Sequence, residues 1–323
     1  MIHTNNPGYG QGEHAIASDG ILVESAMQFA ARLRAHFASP GYTPPLLPAA
    51  ALEVHALTRE PDVDAAKVVE VMRKDPMLAG RVLKIAQSAA FAPVGAITSL
   101  QDAVVRLGLR NLSEIAWEVS LNTRVFRSQA YSEPMEMVRR HSTVCAHLAR
   151  MVSSFTSIAS EYAFLCGLLH DIGMAAALIV LGEQKKTAAS FAPSLLGIAL
   201  QQCHQEASAV VAGLWKLPVD VQLVLGHHHD VVIDGLVHPL AAVVAVAEDL
   251  TRDLGLGIVL YGHDCDVTSD SALAHARNAL GFDQARVDKL GQEARRLIST
   301  LERGAIIGAA TPEDRSKIRR SNR

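Results

Sequence analysis

His170 and Asp171 stand side by side at the end of an apolar run, Ala163–Met174, which reads AFLCGLLHDIGM, with Gly173 two positions on. Neutral imidazole and ionised carboxylate are common ligands of a divalent metal. Behind an apolar segment they are polar groups placed where a core belongs, so each needs a partner. Further candidate ligands lie on separate stretches: His141, His204, the run His227-His228-His229-Asp230, and Glu248-Asp249. Helical bundles build metal sites from ligands on several facing helices. Adjacent residues on a helix point about 100° apart. His170 and Asp171 therefore share one ion only near a distorted helix end, which Gly173 permits, or else serve two ions. Blander readings stand beside this one. A buried His–Asp hydrogen bond would satisfy the pair. Single histidines such as His141, His147 or His204 are more often core residues, and the histidine run also reads as a solvated helix end.

The elements that must position these residues read as helices throughout. Ile21–Phe37 places Leu22, Ala26, Phe29, Ala30, Leu33 and Phe37 at helical spacing, and Ser39-Pro40-Gly41 ends it. Pro48 enters a short amphipathic helix. Asp64 is placed to cap Ala65–Arg73, Asp75-Pro76 opens the next helix, and Thr98-Ser99 precedes Leu100–Leu107. Gly108 reads as the close of that helix and Asn111 as the start of another. In the second half, Met135–Phe155 carries His141 and His147, Glu161–Leu181 carries the His-Asp pair, and a helix led by Pro193 carries His204. Leu217-Pro218 starts a helix running into the triple histidine, and Pro239 starts one carrying Glu248. The Gly-rich Leu254–Tyr261 reads as a loop or short strand, and helices near Ser269–Leu280 and Asp283–Leu301 follow.

Composition narrows the function classes. Hydrophobic residues make up 49% and aromatics 5% of 323 residues, a balance that suits a helical protein with a real core. The net charge of −3 argues against a nucleic-acid binder driven by electrostatics. Four cysteines, Cys145, Cys166, Cys203 and Cys265, lie far apart with no CxxC pair and read as reduced thiols of a cytoplasmic protein. The first residues lack the pattern of a signal peptide. The apolar window Gly173–Leu181 is shorter than the ~20 residues of a spanning helix. The tail Thr311–Arg323 carries five basic residues, Arg315, Lys317, Arg319, Arg320 and Arg323, and reads as a disordered, solubilising end.

The whole series of motifs resembles a known family. GLLHDIG, Gly167–Gly173, looks like the defining stretch of the HD superfamily of metal-dependent phosphohydrolases. Arg140-His141-Ser142 resembles its first metal-binding histidine. CHQEASAVVAGLWKLP, with His204, resembles its next histidine followed by a WGLP-like turn, and GHHHD, Gly226–Asp230, resembles its paired histidines. AVAEDL resembles the last carboxylate, at Glu248 with Asp249 as a near alternative. In the first half, PPLLP, RVLKIAQSAAF and ITSLQDAVVRLGLRNL resemble the HDOD domain, the HD-related output domain of bacterial signalling proteins, over about Pro44–Leu256.

That resemblance implies an all-α fold, a multi-helix HD-superfamily domain preceded by an N-terminal helical HDOD-type subdomain. The expected organisation is a mobile leader over 1–20, N-terminal helices over 21–130, the HD-like part over 131–256, C-terminal helices over 257–302, and the basic tail from 303. It implies a metal ligand set of His141, His170, Asp171, His204, His227, His228 and Glu248 for a divalent metal whose identity the residues leave open. It also implies a regulatory, non-catalytic role through a protein or small-regulator partner, with sensory input from a separate protein. The alternative is a metal-dependent phosphohydrolase acting on a nucleotide or phosphodiester, with His170 and Asp171 at its catalytic centre. Related phosphodiesterases that open cyclic di-GMP show a lysine after the DIG and a GYP signature after the paired histidines. This chain has Met174 and Val231-Val232-Ile233-Asp234-Gly235 there.

Overall fold

The computed structural model describes residues 11–47, 49–60, 63–88, 97, 99–183, 193–265 and 267–303. Among them are thirteen helices and two small antiparallel hairpins. The helices are α1 (Gln11–Phe37), α2 (Ala49–Thr58), α3 (Ala65–Arg73), α4 (Pro76–Ala86), α5 (Leu100–Arg124), α6 (Ser132–Ser153) and α7 (Ser160–Leu169). After these come α8 (Ile172–Glu183), α9 (Pro193–Leu214), α10 (Val219–Gly226), α11 (Pro239–Asp253), α12 (Asp270–Ala279) and α13 (Gln284–Arg303). The hairpins pair β1 (Val232–Ile233) with β2 (Leu236–Val237) and β3 (Val259–Leu260) with β4 (His263–Asp264). β3 falls in the Gly-rich Leu254–Tyr261 stretch read as loop or short strand, and β4 lies just past it.

The helix starts are written in local chemistry. Asp64 accepts from the Ala66 amide, and Asp75 accepts from the Met77 and Leu78 amides just before Pro76. Ser99 and Asp102 form a reciprocal capping box at the head of α5. Gly108, with φ 72° and ψ 153°, takes the backbone out of the helix inside α5, so α5 is two helical pieces joined at a kink where the glycine was expected to close the first. α1 starts at Gln11, inside the stretch read as leader. The tail beyond Arg303, and the helix-start residues Pro48 and Thr98, lie outside the described residues.

Helices α2, α3 and α4 pack around α5, while α1 lies mainly on α9 in the other half. Ala26, Phe29, Ala30, Leu33 and Phe37 form its buried stripe, and Arg34 pairs with Glu206 at 2.7 Å. α5 joins the halves through Glu114 to Arg150 at 2.6 Å and Glu118 to His147 at 3.3 Å. His147 is therefore held by a carboxylate from α5. At the centre, Tyr162–Glu183 is 22 residues long and holds an 18-residue window of mean hydropathy 2.1, long and apolar enough to cross a membrane by length and composition. This corrects the shorter window expected from Gly173–Leu181. Protein buries 94% of it, and the run is broken between α7 and α8 at His170-Asp171. It is the middle of the core.

Candidate metal centre

The break between α7 and α8 is a tight, engineered-looking feature of packing rather than of glycine flexibility. A Cβ on Gly173 would sit 2.1 Å from the His204 carbonyl oxygen and 2.6 Å from the Ser208 amide nitrogen. Only glycine lets α8 begin this close to α9. Ser208 fastens the junction: its hydroxyl accepts from the Gly173 amide at 2.9 Å and donates to the His170 carbonyl at 2.7 Å. His170 keeps a helical backbone as it ends α7, and with Asp171 it faces the gap between α6, α9 and the segment after α10.

Four histidines converge there with their tautomers set by the backbone. A carbonyl oxygen can only accept, so a ring nitrogen bonded to one carries the hydrogen. His141 Nδ1 donates to Leu256 O and His170 Nδ1 to Gly167 O, both at 2.9 Å. His204 Nδ1 donates to Leu200 and Gln201 O, and His228 Nδ1 to Leu225 O, at 3.0 Å. In the neutral rings each Nε2 is then a bare lone pair. These Nε2 atoms nevertheless crowd together, His141 to His170 at 3.1 Å and His204 to His228 at 3.2 Å. His229 Nε2 joins them, 2.9 Å from His204 Nε2. Its Nδ1 faces Thr268 Oγ1 at 3.0 Å and Glu248 Oε1 at 3.2 Å, while Thr268 donates to Glu248 Oε2 at 3.4 Å.

Asp171 lies between the two groups. Its Oδ2 is 3.2 Å from His170 Nε2 and 3.8 Å from His141 Nε2. Its Oδ1 is 3.6 Å from His204 Nε2 and 3.7 Å from His228 Nε2. Both oxygens are buried without a hydrogen-bond partner. Burial is the largest influence on this carboxyl and pushes its pKa up, yet the surrounding His170, His228 and His204 outweigh it and hold it well below the usual range. His228 is pushed down to about 4, chiefly by burial and then by the charge of His229. A buried carboxylate held ionised between two groups of imidazoles needs positive charge beside it, on the rings or as a bound metal ion.

The spacing fits that charge. Two nitrogens about 2.0–2.1 Å from one zinc ion at a tetrahedral angle stand about 3.3 Å apart. The observed Nε2 separations of 2.9–3.2 Å are close to this. These buried His and Cys groups can hold a metal ion, in two sets: His141, Cys145 and His170, and His204, His228 and His229.

Of the residues expected from sequence, His141, His170, Asp171, His204 and His228 come together. His227 does not: its side chain is 48% exposed and its Nδ1 faces Asp230 at 3.9 Å. The chain turns after α10, and His229 takes the place beside His228. Glu248 stands behind His229 rather than among the Nε2 atoms, and its neighbour Asp249 is turned to Arg277 at 2.8 Å. Sequence reasoning had His229 within the candidate histidine run but left it out of the ligand set, and it missed Ser208, Thr268 and Cys145. Ser208 and Cys145 each lie four residues after an identified histidine, on the same helix face, which was the available signal. Thr268 left none, because a separate loop brings it in.

A helical bundle whose core holds a closed cluster of histidines around one bridging aspartate is the class that fold and site define. Residues 45–231, more than half of the chain, match the HDOD domain family, and the chain belongs to it. The structure is similar to that of an HDOD domain protein of unknown function from Geobacter sulfurreducens, with TM-score 0.64 and 22% identity over 86% of this chain and 97% of that one. It is similar to a Marinobacter aquaeolei VT8 protein, provisionally called a signal transduction protein, with TM-score 0.62 and 20% identity over 90% of this chain and 66% of that one. It is also similar to a protein of Shewanella amazonensis SB2B, provisionally called a metal-dependent phosphohydrolase. There the TM-score is 0.58 and the identity 21%, over 80% of this chain and 98% of that one. At these identities the likeness shows the fold. A Treponema pallidum (strain Nichols) protein, described as uncharacterized, is 26% identical over 58% of this chain, a region that is 37% of its own length.

Proposed function

We propose that this chain is a non-catalytic, cytoplasmic signalling module of the HDOD family, in which a metal-loaded core holds a surface that binds a protein or small regulator. The observation that carries the reading is closure of the site. His141, His170, Asp171 and His228 are each 0% exposed, and His204 and Glu248 are 1% exposed. Among the described residues His229, with its side chain 13% exposed, is the one partly open member of the cluster, whereas catalysis needs the reacting atoms within contact of the site. Met174, where related phosphodiesterases show a lysine, is itself fully buried in α8 and supplies packing. His141, His170 and Asp171 Oδ2 would hold one ion, and His204, His228, His229 and Asp171 Oδ1 another. Glu248 and Thr268 would orient His229 from behind, as outer carboxylates do for metal-bound histidines.

One observation favours the second reading, a metal-dependent phosphohydrolase of nucleotides or phosphodiesters. A carboxylate placed between two groups of imidazoles suits a pair of ions, and such a pair, when bound, supplies Lewis-acid stabilisation to phosphoryl transfer. The two readings part in one experiment. The untagged chain is purified, its metal content measured, and phosphodiester and cyclic dinucleotide substrates are assayed beside the double variant His170→Ala/Asp171→Ala. Bound metal without turnover is expected. Metal-dependent turnover that the double variant abolishes would overturn the non-catalytic reading.

A further inference from the structure

Cys145 lies one helical turn after His141 on α6, with its sulfur and the ring nitrogens of His141 and His170 all within 4.8 Å of one another. All three residues are fully buried. The approach is made by Gly167 on α7, where a Cβ would stand 2.8 Å from the Cys145 carbonyl oxygen and 2.9 Å from Ala146 Cα. Without a side chain at that position, α7 closes on α6 at the level of Cys145. His170, three residues later, is carried one turn on to face His141, with their Nε2 atoms 3.1 Å apart.

The donor count then becomes informative. On the far side of Asp171, three histidines and Oδ1 offer four donors. On the near side, His141, His170 and Oδ2 offer three, and four is the number zinc takes in closed structural sites. The Asp171 oxygens, buried and without a hydrogen-bond partner, point to an ion on each side independently of the cysteine. Two of the other three thiols have different settings. Cys265 Sγ faces the carbonyls of Gly197 and His263 at 3.5 Å, and Cys203 lies near Arg34 and Glu206.

We propose that Cys145 is a thiolate ligand of the ion held by His141, His170 and Asp171. Its proton is released to solvent as the ion binds. A sulfur donor selects thiophilic ions such as zinc and cobalt over magnesium, calcium or manganese, which prefer oxygen. A fourth protein donor also fills the position that a hydrolytic site keeps for water, which fits the closure of the core. The proposal rests on reading the cluster as a metal centre.

The test uses the full chain, stripped and reloaded. With zinc, X-ray absorption at the zinc edge should show a sulfur neighbour at about 2.3 Å beside nitrogen and oxygen at about 2.0–2.2 Å. With cobalt(II), a thiolate-to-metal charge-transfer band should appear in the near ultraviolet. That band should be lost in Cys145→Ser and retained in Cys203→Ser, with bound cobalt measured in each. The zinc-edge measurement needs no variant, so a poorly folding Cys145→Ser protein leaves it decisive. Bound metal with nitrogen and oxygen neighbours only, or a band that survives Cys145→Ser, would overturn the thiolate while leaving the metal centre standing. A chain that binds neither ion would overturn both.

Discussion

Replacing Asp171 by asparagine isolates the physical demand of the core, because the side chain keeps its shape and loses its charge. The wild-type carboxylate touches two sets of imidazole lone pairs and accepts no hydrogen bond. An ion that binds only the folded chain stabilises it by about 2.7 kcal/mol at 100 times its Kd and about 4.1 kcal/mol at 1,000 times. At an unfolding entropy of about 2.1 cal/mol/K per residue, 323 residues give about 0.7 kcal/mol/K, so each ion should raise Tm by about 4–6 °C. Stripping wild-type protein with a chelator should therefore lower Tm by about 8–12 °C for two ions, and zinc should restore it. Asp171→Asn should bind at most a fraction of the metal and gain less than about 2 °C on zinc addition, by the same scaling. Calorimetry with metal analysis on both proteins reads all of this. A wild-type Tm indifferent to chelation, or a full zinc response in Asp171→Asn, would refute the argument from buried charge.

Gly173→Ala drives a methyl into the His204 carbonyl and should destabilise by about 3 kcal/mol or more, seen as a lowered urea midpoint. Gly80→Ala, in α4 with nothing within 4 Å of the added carbon, should instead gain about 0.5–1 kcal/mol in the same titration. Glu248→Gln removes the charge behind His229 and should weaken metal binding about 10–100-fold, measured by competition with a chromophoric chelator. His228 titrates at about 4 in the fold against 6.5 unfolded, so the unfolded chain binds more protons between those values. Metal-free protein should be steady above about pH 6.5 and lose up to about 3 kcal/mol as pH falls toward 4, followed by denaturant melts across that window.

The helical character and most helix starts were legible because their causes are local. Asp64, Asp75 and Ser99 cap the amides two or three residues ahead, and no distant group is needed. Gly108 was legible for a related reason: its positive φ, which glycine adopts without strain, takes the backbone out of the helix at that point. The stretch at Gln11 offered too little periodicity to mark a helix. The length of the apolar run Tyr162–Glu183 was underread because the His-Asp pair interrupts its pattern, although the buried run continues on both sides.

The sequence by itself determined the residue types of the centre and the lineage of the fold. His141, His170, Asp171, His204 and the histidine run stood on separate helices in a recognisable order, and that order fixes which faces must meet. Tertiary structure decided which atoms do meet. The turn after α10 chose His229 over His227, a half-turn difference that a run of three identical residues cannot encode. Contacts with Arg277 and His229 divided Asp249 from Glu248. The position of Asp171 between two lone-pair clusters exists only once α6, α9 and the segment after α10 close on the α7–α8 break, because it depends on distances between chain segments far apart in sequence.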